Sequence, residues 1–265
     1  MKIALIQLNA GTDKKKNIAQ AVEMVQEAAA HGAKFVALPE VFNYRGPMSY
    51  LALAGGVAEK IPGDSLKPLM ALAQEKKIFI LAGSIYERIR GEKKVYNTSV
   101  LVGPQGSVNA CYRKMHLFDA NVHGKAICES KYFRPGTKPI VAQVEKFKAG
   151  LSICYDLRFP ELFRSYGSQG CDILCVPSSF TQKTGQAHWE VLLRARAIEN
   201  LSYVLAPNQV GQDGRGVASF GTSLVVSPWG KVIAKASAKK EEILYARIEL
   251  SQIRQARKIL PSICL

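Results

Sequence analysis

The chain has 265 residues, of which 48% are hydrophobic and 22% charged, as in an ordinary globular protein and unlike a disordered or collagen-like chain. Lysine and arginine outnumber aspartate and glutamate by 36 to 21, so the formal charge of +15 favours anionic substrates or partners. The basic residues are scattered in short clusters at predicted turns and helix starts, which makes nucleic-acid binding the weaker interpretation of this charge.

The first predicted element is a buried strand over residues 3–8. Its apolar run is too short for the core of a signal peptide or for a membrane span. This predicts a cytoplasmic protein with no membrane segment. In that compartment the six cysteines should stay reduced, most of them as small buried packing residues.

Strand and helix patterns then alternate along the chain, which predicts an α/β fold in a single domain over residues 1–265. The predicted helices cover residues 17–30, 65–75, 159–167 and 187–200. The further predicted strands cover residues 35–38, 78–86, 96–102, 107–112, 150–154, 172–176, 203–206, 222–227 and 231–234. Residues 150–176 form a βαβ unit in this scheme, with Cys154 at its elbow.

Three of these strands end in residues that can do chemistry: Glu40, Lys114 and Cys154. Each has a plainer interpretation, because Glu40 could begin a solvated loop, Lys114 could be a surface charge, and a cysteine at a strand end more often packs in a core. Ligands usually bind at such a sheet edge. Together the three supply a base, a cation and a nucleophile for acyl transfer, and the backbone N–H of Tyr155 is placed to bind an oxyanion.

In order and separation, the motifs around these residues resemble those of the nitrilase superfamily, and within it the Nit branch, which includes deaminated-glutathione amidases and ω-amidases. The motifs are Leu-Pro-Glu at 38–40, Tyr-Arg-Lys-Met-His-Leu-Phe-Asp at 112–119, Cys-Tyr-Asp-Leu-Arg-Phe-Pro-Glu at 154–161 and Thr-Gly-Gln-Ala-His-Trp-Glu at 184–190. The likeness runs from residue 1 to about residue 261.

The resemblance implies a four-layer αββα sandwich and a catalytic triad of Glu40, Lys114 and Cys154. Glu40 would take the thiol proton, Cys154 would attack an amide carbonyl, and Lys114 with the Tyr155 N–H would hold the oxyanion. Ammonia would leave, and water would hydrolyse the thioester. The resemblance implies neither a metal nor an organic cofactor.

Many members of the family carry a second carboxylate shortly after the lysine. Seven residues on, this chain has Asn121, whereas Glu129 with the serine after it matches the Glu-Ser pair that other members carry further along. We therefore expect Glu129 to be the second carboxylate, in a positioning role. His116 and His123 are not expected to bind a metal, because no cluster of carboxylates or cysteines adjoins them.

Two other patterns do not predict a site. Cys171 and Cys175 are spaced more widely than a CxxC pair and have no second pair, which favours core packing. Gly211, Gly214 and Gly216 reverse the order of a dinucleotide-binding fingerprint, so we expect a flexible loop there.

The residues after the nucleophile indicate the substrate class. Arg158 lies on the turn that leaves Cys154, and its planar guanidinium would bind a substrate carboxylate through two hydrogen bonds. The alternative is an internal salt bridge to Asp156 or Glu161.

By resemblance, Phe180 and Thr184 are further pocket residues, and residues 187–199 are closer to the deaminated-glutathione amidases than to the ω-amidases. The predicted substrate is a small anionic 2-oxo-acid amide, with deaminated glutathione as first choice and α-ketoglutaramate as second.

Other activities stay open at this point. Nitrilase and carbamoylase activities occur in the superfamily, although its carbamoylases tend to carry a further arginine where this chain has Leu157. Outside enzymes, the fold could serve as a scaffold, or the charge could bind nucleic acid. By resemblance, helices over residues 159–166 and 192–198 face a second subunit, which predicts a homodimer or a larger even assembly.

Overall fold

The computed structural model describes residues 1–122 and 125–263. In that part, the strands in chain order are β1 (Lys2–Gln7), β2 (Phe35–Ala37), β3 (Phe79–Leu81), β4 (Ile85–Arg88), β5 (Val95–Val102), β6 (Val108–Arg113), β7 (Asp119–Val122), β8 (Lys125–Cys128), β9 (Ile140–Val144), β10 (Phe147–Leu151), β11 (Ile173–Cys175), β12 (Tyr203–Ala206), β13 (Val210–Gln212), β14 (Ala218–Phe220), β15 (Leu224–Val226), β16 (Val232–Lys235) and β17 (Glu242–Arg247). The α-helices are α1 (Lys14–Ala30), α2 (Tyr50–Ala52), α3 (Lys67–Lys76), α4 (Pro160–Ser168), α5 (Gln182–Thr184), α6 (Glu190–Asn200) and α7 (Leu250–Ile259). Turns of 3₁₀ helix cover Glu129–Lys131 and Cys154–Arg158, and π-helical turns cover Leu53–Val57 and Gly185–Trp189. Within these residues, no helix has the combination of length and apolar character needed to cross a bilayer.

Two mixed sheets form the centre of the molecule. The first has the strand order β17-β1-β2-β3-β5-β4 with β6 also paired to β5, and the second has the order β16-β15-β12-β11-β10-β9. Strands β1, β2 and β3 are parallel, as are β10, β11 and β12. Parallel neighbours need crossover connections, which α1, α3, α4 and α6 supply. The carboxyl ends of the parallel strands in each sheet therefore lie along one edge.

The alternation of side chains along β1 shows how the layers are stacked. Ile3 and Leu5 belong to the same core cluster as Leu151 of the second sheet. Ala4 and Ile6 point the other way, into a cluster with buried residues of α1 and α3. The buried apolar side chains of α4 and α6 join the first cluster. The order of layers is helix, sheet, sheet, helix, and the predicted αββα sandwich is confirmed.

The predicted strand over residues 78–86 is two strands, β3 and β4. Gly83 interrupts it with a φ of +41°, a left-handed conformation that glycine adopts at little cost. A Cβ at this position would lie 1.8 Å from the carbonyl oxygen of Pro39. The interruption therefore brings the backbone of this segment directly against the residues that lead into Glu40.

Candidate active site

Glu40 lies beyond the carboxyl end of β2, in a turn that is fixed at both its backbone and its side chain. The next residue, Val41, has a φ of +49°, an unusual conformation for a β-branched residue, and its N–H donates to the Ser84 hydroxyl at 2.9 Å. Asn97 Nδ2 donates to Glu40 Oε1 at 2.9 Å. Gln209 Nε2 donates to the Glu40 carbonyl oxygen, also at 2.9 Å. The carboxylate is buried and held in one position.

Lys114 follows β6 and is only 1% exposed. Its Nζ lies 3.1 Å from Glu40 Oε1 and 3.0 Å from each carboxylate oxygen of Glu129. Burial alone would lower the pKa of this ammonium group, but Glu129 and Glu40 together raise it well above its usual value. Lys114 is therefore a fixed cation between two carboxylates.

Glu129 follows β8 and also accepts a hydrogen bond from the Phe118 N–H at 2.8 Å. Burial raises the pKa of Glu129, and the charge of Glu40 adds to this effect, while Lys114 opposes it. The structure thus brings the predicted second carboxylate to the predicted cation. His123 lies outside the described residues.

Cys154 does not end a strand, as predicted, but begins the 3₁₀ turn that comes after β10. It has a φ of +45°, a conformation that residues other than glycine rarely adopt. Burial raises the pKa of its thiol well above the usual value and Glu40 adds to this, whereas Lys114 and the backbone N–H of Ser179 lower it. A thiol that keeps its proton needs a base. The Tyr155 N–H lies in the first turn of the short helix, where backbone donors have no partner within the helix.

Asp156 holds this nucleophile turn in place. It is fully buried, and its Oδ2 accepts from the Ile153 N–H at 2.9 Å and from the Tyr112 hydroxyl at 2.8 Å. Its Oδ1 accepts from the His116 N–H at 3.0 Å and lies 2.7 Å from His116 Nδ1. The His116 ring also stacks on Phe159, with centroids 3.7 Å apart. His116 thus joins two loops of the site, and among the residues described no three His, Cys, Asp or Glu side chains group as metal ligands would.

These groups open into a cavity of about 410 Å³, which is within the roughly 300–1,000 Å³ of small-molecule sites. All eight site residues predicted from the sequence line it, namely Glu40, Lys114, Glu129, Cys154, Tyr155, Arg158, Phe180 and Thr184. Phe180 packs on Trp189, with ring centroids 4.8 Å apart, and the Thr184 hydroxyl lies 2.8 Å from that of Thr181.

Arg158 lines the cavity with no carboxylate partner among the described residues. Its guanidinium carbon lies 5.8 Å from the ring centre of Tyr155 and 5.4 Å from that of Phe180, and Nη1 lies 3.3 Å from His188 Nδ1. The internal salt bridge from Arg158 to Asp156 or Glu161, which was the alternative prediction, is not formed between these described residues. The guanidinium is thus available to an anion in the cavity.

The cavity also has residues that the sequence analysis missed. The glycine-rich loop predicted to be flexible is instead the turn of the β13–β14 hairpin, where Asp213 Oδ1 accepts from the N–H groups of Arg215 and Val217 at 2.8 and 2.9 Å. Asp213 Oδ2 lies 2.6 Å from Arg215 Nη2. Arg45 lines the cavity too, and its Nη2 donates to Ser219 Oγ at 2.6 Å. In the sequence, Arg45 could have been found only through its closeness to the Glu40 motif. The spacing of the glycines around Arg215 does not indicate that this residue lines a site.

Comparisons with known proteins agree on one family. The family profile described as Carbon-nitrogen hydrolase matches residues 2–258. Omega-amidase NIT2 of Homo sapiens is 41% identical over 261 residues, which cover 98% of this chain and 92% of that protein. Saccharomyces cerevisiae Nit3, described as a member of branch 10 of the nitrilase superfamily, superposes with a TM-score of 0.88 at 33% identity, over 98% of this chain and 94% of Nit3. A Glu-to-Gln mutant of the amidase from Nesterenkonia sp. AN1, with acrylamide added at its active-site cysteine, superposes with a TM-score of 0.81 at 25% identity, over 98% of each chain.

Proposed function

The chain belongs to the carbon-nitrogen hydrolase family of the nitrilase superfamily and is a cysteine-dependent amidase, and from this we propose that its substrate is a small amide that carries a carboxylate. The observation that carries the proposal is the position of the Arg158 guanidinium and its lack of a carboxylate partner among the described residues. This guanidinium shares a cavity with Cys154. A planar guanidinium binds a carboxylate through two parallel hydrogen bonds, so Arg158 suits the acidic end of such an amide.

Within this class, α-ketoglutaramate is our first candidate, with the ω-amide as the bond that is cleaved. The human relative at 41% identity and its mouse counterpart at 42% are both named as omega-amidases. Deaminated glutathione, the first choice from the sequence, has no such support. That choice used residues 187–199, most of which lie in α6, whereas the similarity to the omega-amidases extends over 98% of the chain.

In the proposed acylation, Glu40 takes the thiol proton of Cys154 while the sulfur forms a bond to the amide carbonyl carbon. The carbonyl oxygen becomes an oxyanion, which the Lys114 ammonium and the Tyr155 N–H stabilise. When this intermediate collapses, the C–N bond breaks and the nitrogen takes the proton from Glu40. Ammonia leaves, and the acyl group stays on the sulfur as a thioester.

Deacylation repeats these steps with water. Glu40 takes a proton from the water while the water oxygen forms a bond to the thioester carbon. The Lys114 ammonium and the Tyr155 N–H again stabilise the oxyanion. The C–S bond then breaks, the sulfur regains the proton from Glu40, and the carboxylic acid leaves. Glu129 positions the Lys114 ammonium through both steps.

The test compares a half-amide of a short dicarboxylic acid with a neutral amide of similar length. Arg158→Lys keeps the charge but loses the fork geometry, so we expect KM for the half-amide to rise at least about tenfold and KM for the neutral amide to change little. Arg90→Lys, at an exposed turn position, is the matched control and should change neither KM. Equal effects on both substrates, or equal efficiency of the unaltered enzyme toward both, would disprove the substrate class.

We also propose that the protein forms a homodimer or a larger even assembly. Most large apolar side chains of the two predicted interface helices pack inside the chain, but Val191 and Ile198 of α6 are 68% and 44% exposed. Because they are seven residues apart, the two side chains lie on the same face of α6, and exposed apolar side chains on one face are typical of subunit interfaces. A monomer mass by light scattering at micromolar concentration would contradict the proposal.

The cytoplasmic location is likewise a proposal. The five cysteines within the described residues are all unpaired. Unpaired cysteines are typical of proteins in reducing compartments. Cell fractionation with an antibody to the protein would test this, and recovery in an oxidising compartment would contradict it.

A further inference from the structure

We propose that Arg45 is a second carboxylate-binding residue of the catalytic cavity, so that the enzyme accepts amides whose nitrogen carries a carboxylate-bearing substituent. This inference rests on the proposed function, because it adds a second acidic group to an amide whose first carboxylate binds Arg158. It assigns a role to a residue outside the four motifs.

The first observation is that Arg45 is a buried cation whose hydrogen-bond partners are neutral. The residue is only 3% exposed, yet its guanidinium hydrogen-bonds to neutral groups, with Nη2 donating to Ser219 Oγ at 2.6 Å and Nη1 to Gln209 Oε1 at 3.4 Å. No carboxylate within the described residues lies at ion-pair distance from it. A buried cation without a paired anion is costly. Burial lowers the pKa of Arg45 to about 10, and Asp213 offsets this only in part.

The nearby carboxylate is already occupied. Asp213 Oδ2 lies 2.6 and 2.9 Å from two guanidinium nitrogens of Arg215, and Oδ1 accepts two backbone N–H groups of its own hairpin. Arg215 lines the same cavity with a side chain that is 47% exposed. Arg45, Asp213 and Arg215 together carry two positive charges and one negative charge. The charge of Glu40 also acts on Arg45, but Glu40 is already paired with Lys114. A ligand carboxylate would therefore balance the excess positive charge of these three residues.

The position of Arg45 assigns this second carboxylate to the leaving group. In the proposed reaction Glu40 delivers a proton to the departing nitrogen, so that nitrogen lies on the Glu40 side of the scissile carbon. Gln209 bridges the two residues, because its Oε1 accepts from Arg45 and its Nε2 donates to the Glu40 carbonyl oxygen at 2.9 Å. Arg158 comes from the nucleophile turn instead and contacts Tyr155. The acyl and amine parts of the substrate would thus each meet one arginine.

A competing role for Arg45 is to balance the charges of the reaction centre. Glu40 and Glu129 surround one ammonium group, and the charge of Glu40 acts on Arg45. In that role Arg45 would affect the turnover of every amide and shift the pH profile of kcat. A binding role would instead raise KM for one class of amide.

The experiment uses the full-length enzyme and three amides: glutaramate, its N-carboxymethyl derivative and its N-(2-hydroxyethyl) derivative. The last two differ in charge at the nitrogen substituent and little in size. With the unaltered enzyme, we expect kcat/KM for the N-carboxymethyl amide to exceed that for the N-hydroxyethyl amide at least about tenfold, the usual effect of a good charge-assisted pair. This comparison needs no variant and so does not depend on folding.

Arg45→Gln should then raise KM for both amides by different factors, and the factor for the N-carboxymethyl amide should be about ten times that for the N-hydroxyethyl amide. The preference for the N-carboxymethyl amide would thereby be lost. Arg90→Gln removes one exposed arginine outside the cavity and should leave the preference intact. If Arg45→Gln does not fold, Arg45→Lys is measured, and it should reduce the preference in part because it keeps a charge without the planar fork.

Two results would overturn the inference: no preference in the unaltered enzyme, or a loss of kcat toward all three amides with a shifted pH profile in the Arg45 variants. Neither result affects the proposed function if glutaramate is still hydrolysed better than a neutral amide of its length. Failure of that last comparison would instead disprove the proposed function.

Discussion

The cavity has two regions that are built on different principles. We call them the reaction centre, which comprises Glu40, Lys114, Glu129 and Cys154, and the binding wall, which comprises Arg45, Arg158 and Arg215. In the reaction centre, the Lys114 ammonium lies within 3.1 Å of both carboxylates. In the binding wall, two of the three arginines have no carboxylate partner within the described residues, and only Arg215 is paired. In the reaction centre the single cation already contacts two carboxylates, whereas Arg45 and Arg158 of the binding wall can each pair with an anionic group of a ligand.

The backbone shows the same division. Val41, next to Glu40, and Cys154 have φ values of +49° and +45°, and such conformations cost on the order of 1–3 kcal/mol each. None of the three arginines of the binding wall has a positive φ. Within the reaction centre, Cys154 is itself strained and Glu40 adjoins a strained residue, whereas the three arginines of the binding wall are not strained in this way. Changes in the reaction centre should therefore reduce kcat, and changes in the binding wall should mainly raise KM.

The largest effect is expected for Cys154→Ala, which should reduce ammonia release to the uncatalysed background because no acyl-enzyme can form. Cys128→Ser is the matched control, since Cys128 is the more exposed thiol and lines the same cavity. It should keep most of the activity. Loss of turnover in the Cys128 variant together with activity in the Cys154 variant would place the nucleophile elsewhere.

Glu40→Gln should lower kcat at least about 100-fold, because no base remains to take the thiol proton. Its effect on simple alkylation should be the opposite. The charge of Glu40 raises the pKa of Cys154, so its removal lowers that pKa and increases the thiolate fraction at a given pH. Iodoacetamide should therefore label Cys154 faster in this variant. Mass spectrometry in a Cys128→Ser background would measure the rate, and slower labelling would contradict the role of Glu40.

Lys114→Met should also lower kcat at least about 100-fold, because it removes the cation that stabilises the oxyanion. Here alkylation should slow, since Lys114 lowers the pKa of Cys154 and its loss raises that pKa further. The two variants thus match in turnover and differ in labelling. If both change the labelling rate in the same direction, the division of roles between base and cation is wrong. Thermal unfolding should accompany the assay, because Glu40 and Glu129 lose their shared partner.

The reaction centre could be predicted from the sequence because its residues follow strand ends within recognisable motifs. Glu40 comes directly after an apolar run, and parallel strands bring such ends to one edge. Cys154 was placed at the right elbow but in the wrong element, because β10 ends at Leu151. A burial pattern alone does not show where a strand gives way to a 3₁₀ turn.

The binding wall was predicted only where one of its residues lies within a motif, as Arg158 does. Arg45 and Arg215 lie far apart in the chain and meet only through the hairpin of β13 and β14. In the same way, strand β17 pairs with β1 across almost the whole chain, and its half-buried residues show no clear alternation. Contacts between distant segments, and edge strands with weak patterns, are not encoded in local sequence.

The smallest effect is expected for Glu129→Gln. Lys114 would lose the charge of one carboxylate partner and keep its contact with Glu40 at 3.1 Å, so the oxyanion would still meet a cation in nearly the same place. We expect kcat to fall about tenfold, less than for Glu40→Gln, as befits a positioning group. A loss as large as that of the Glu40 variant would give Glu129 a direct part in proton transfer.

The pH dependence separates these roles further. Burial and the charge of Glu40 raise the pKa of Glu129, so in the folded protein this carboxyl takes up its proton above its usual pKa of 4.5. The acid limb of kcat should therefore lie above the usual range of a glutamate, and Glu129→Gln should move it to lower pH. For stability the sign is opposite: a raised folded pKa means that the stability contributed by Glu129 is complete at low pH and is lost as the pH rises through that pKa. As the pH rises from 4.5 through the raised pKa, the melting temperature of the unaltered protein should therefore fall relative to that of the Gln variant, whose side chain cannot ionise. An acid limb that stays in place in Glu129→Gln would show that another group of the reaction centre sets it.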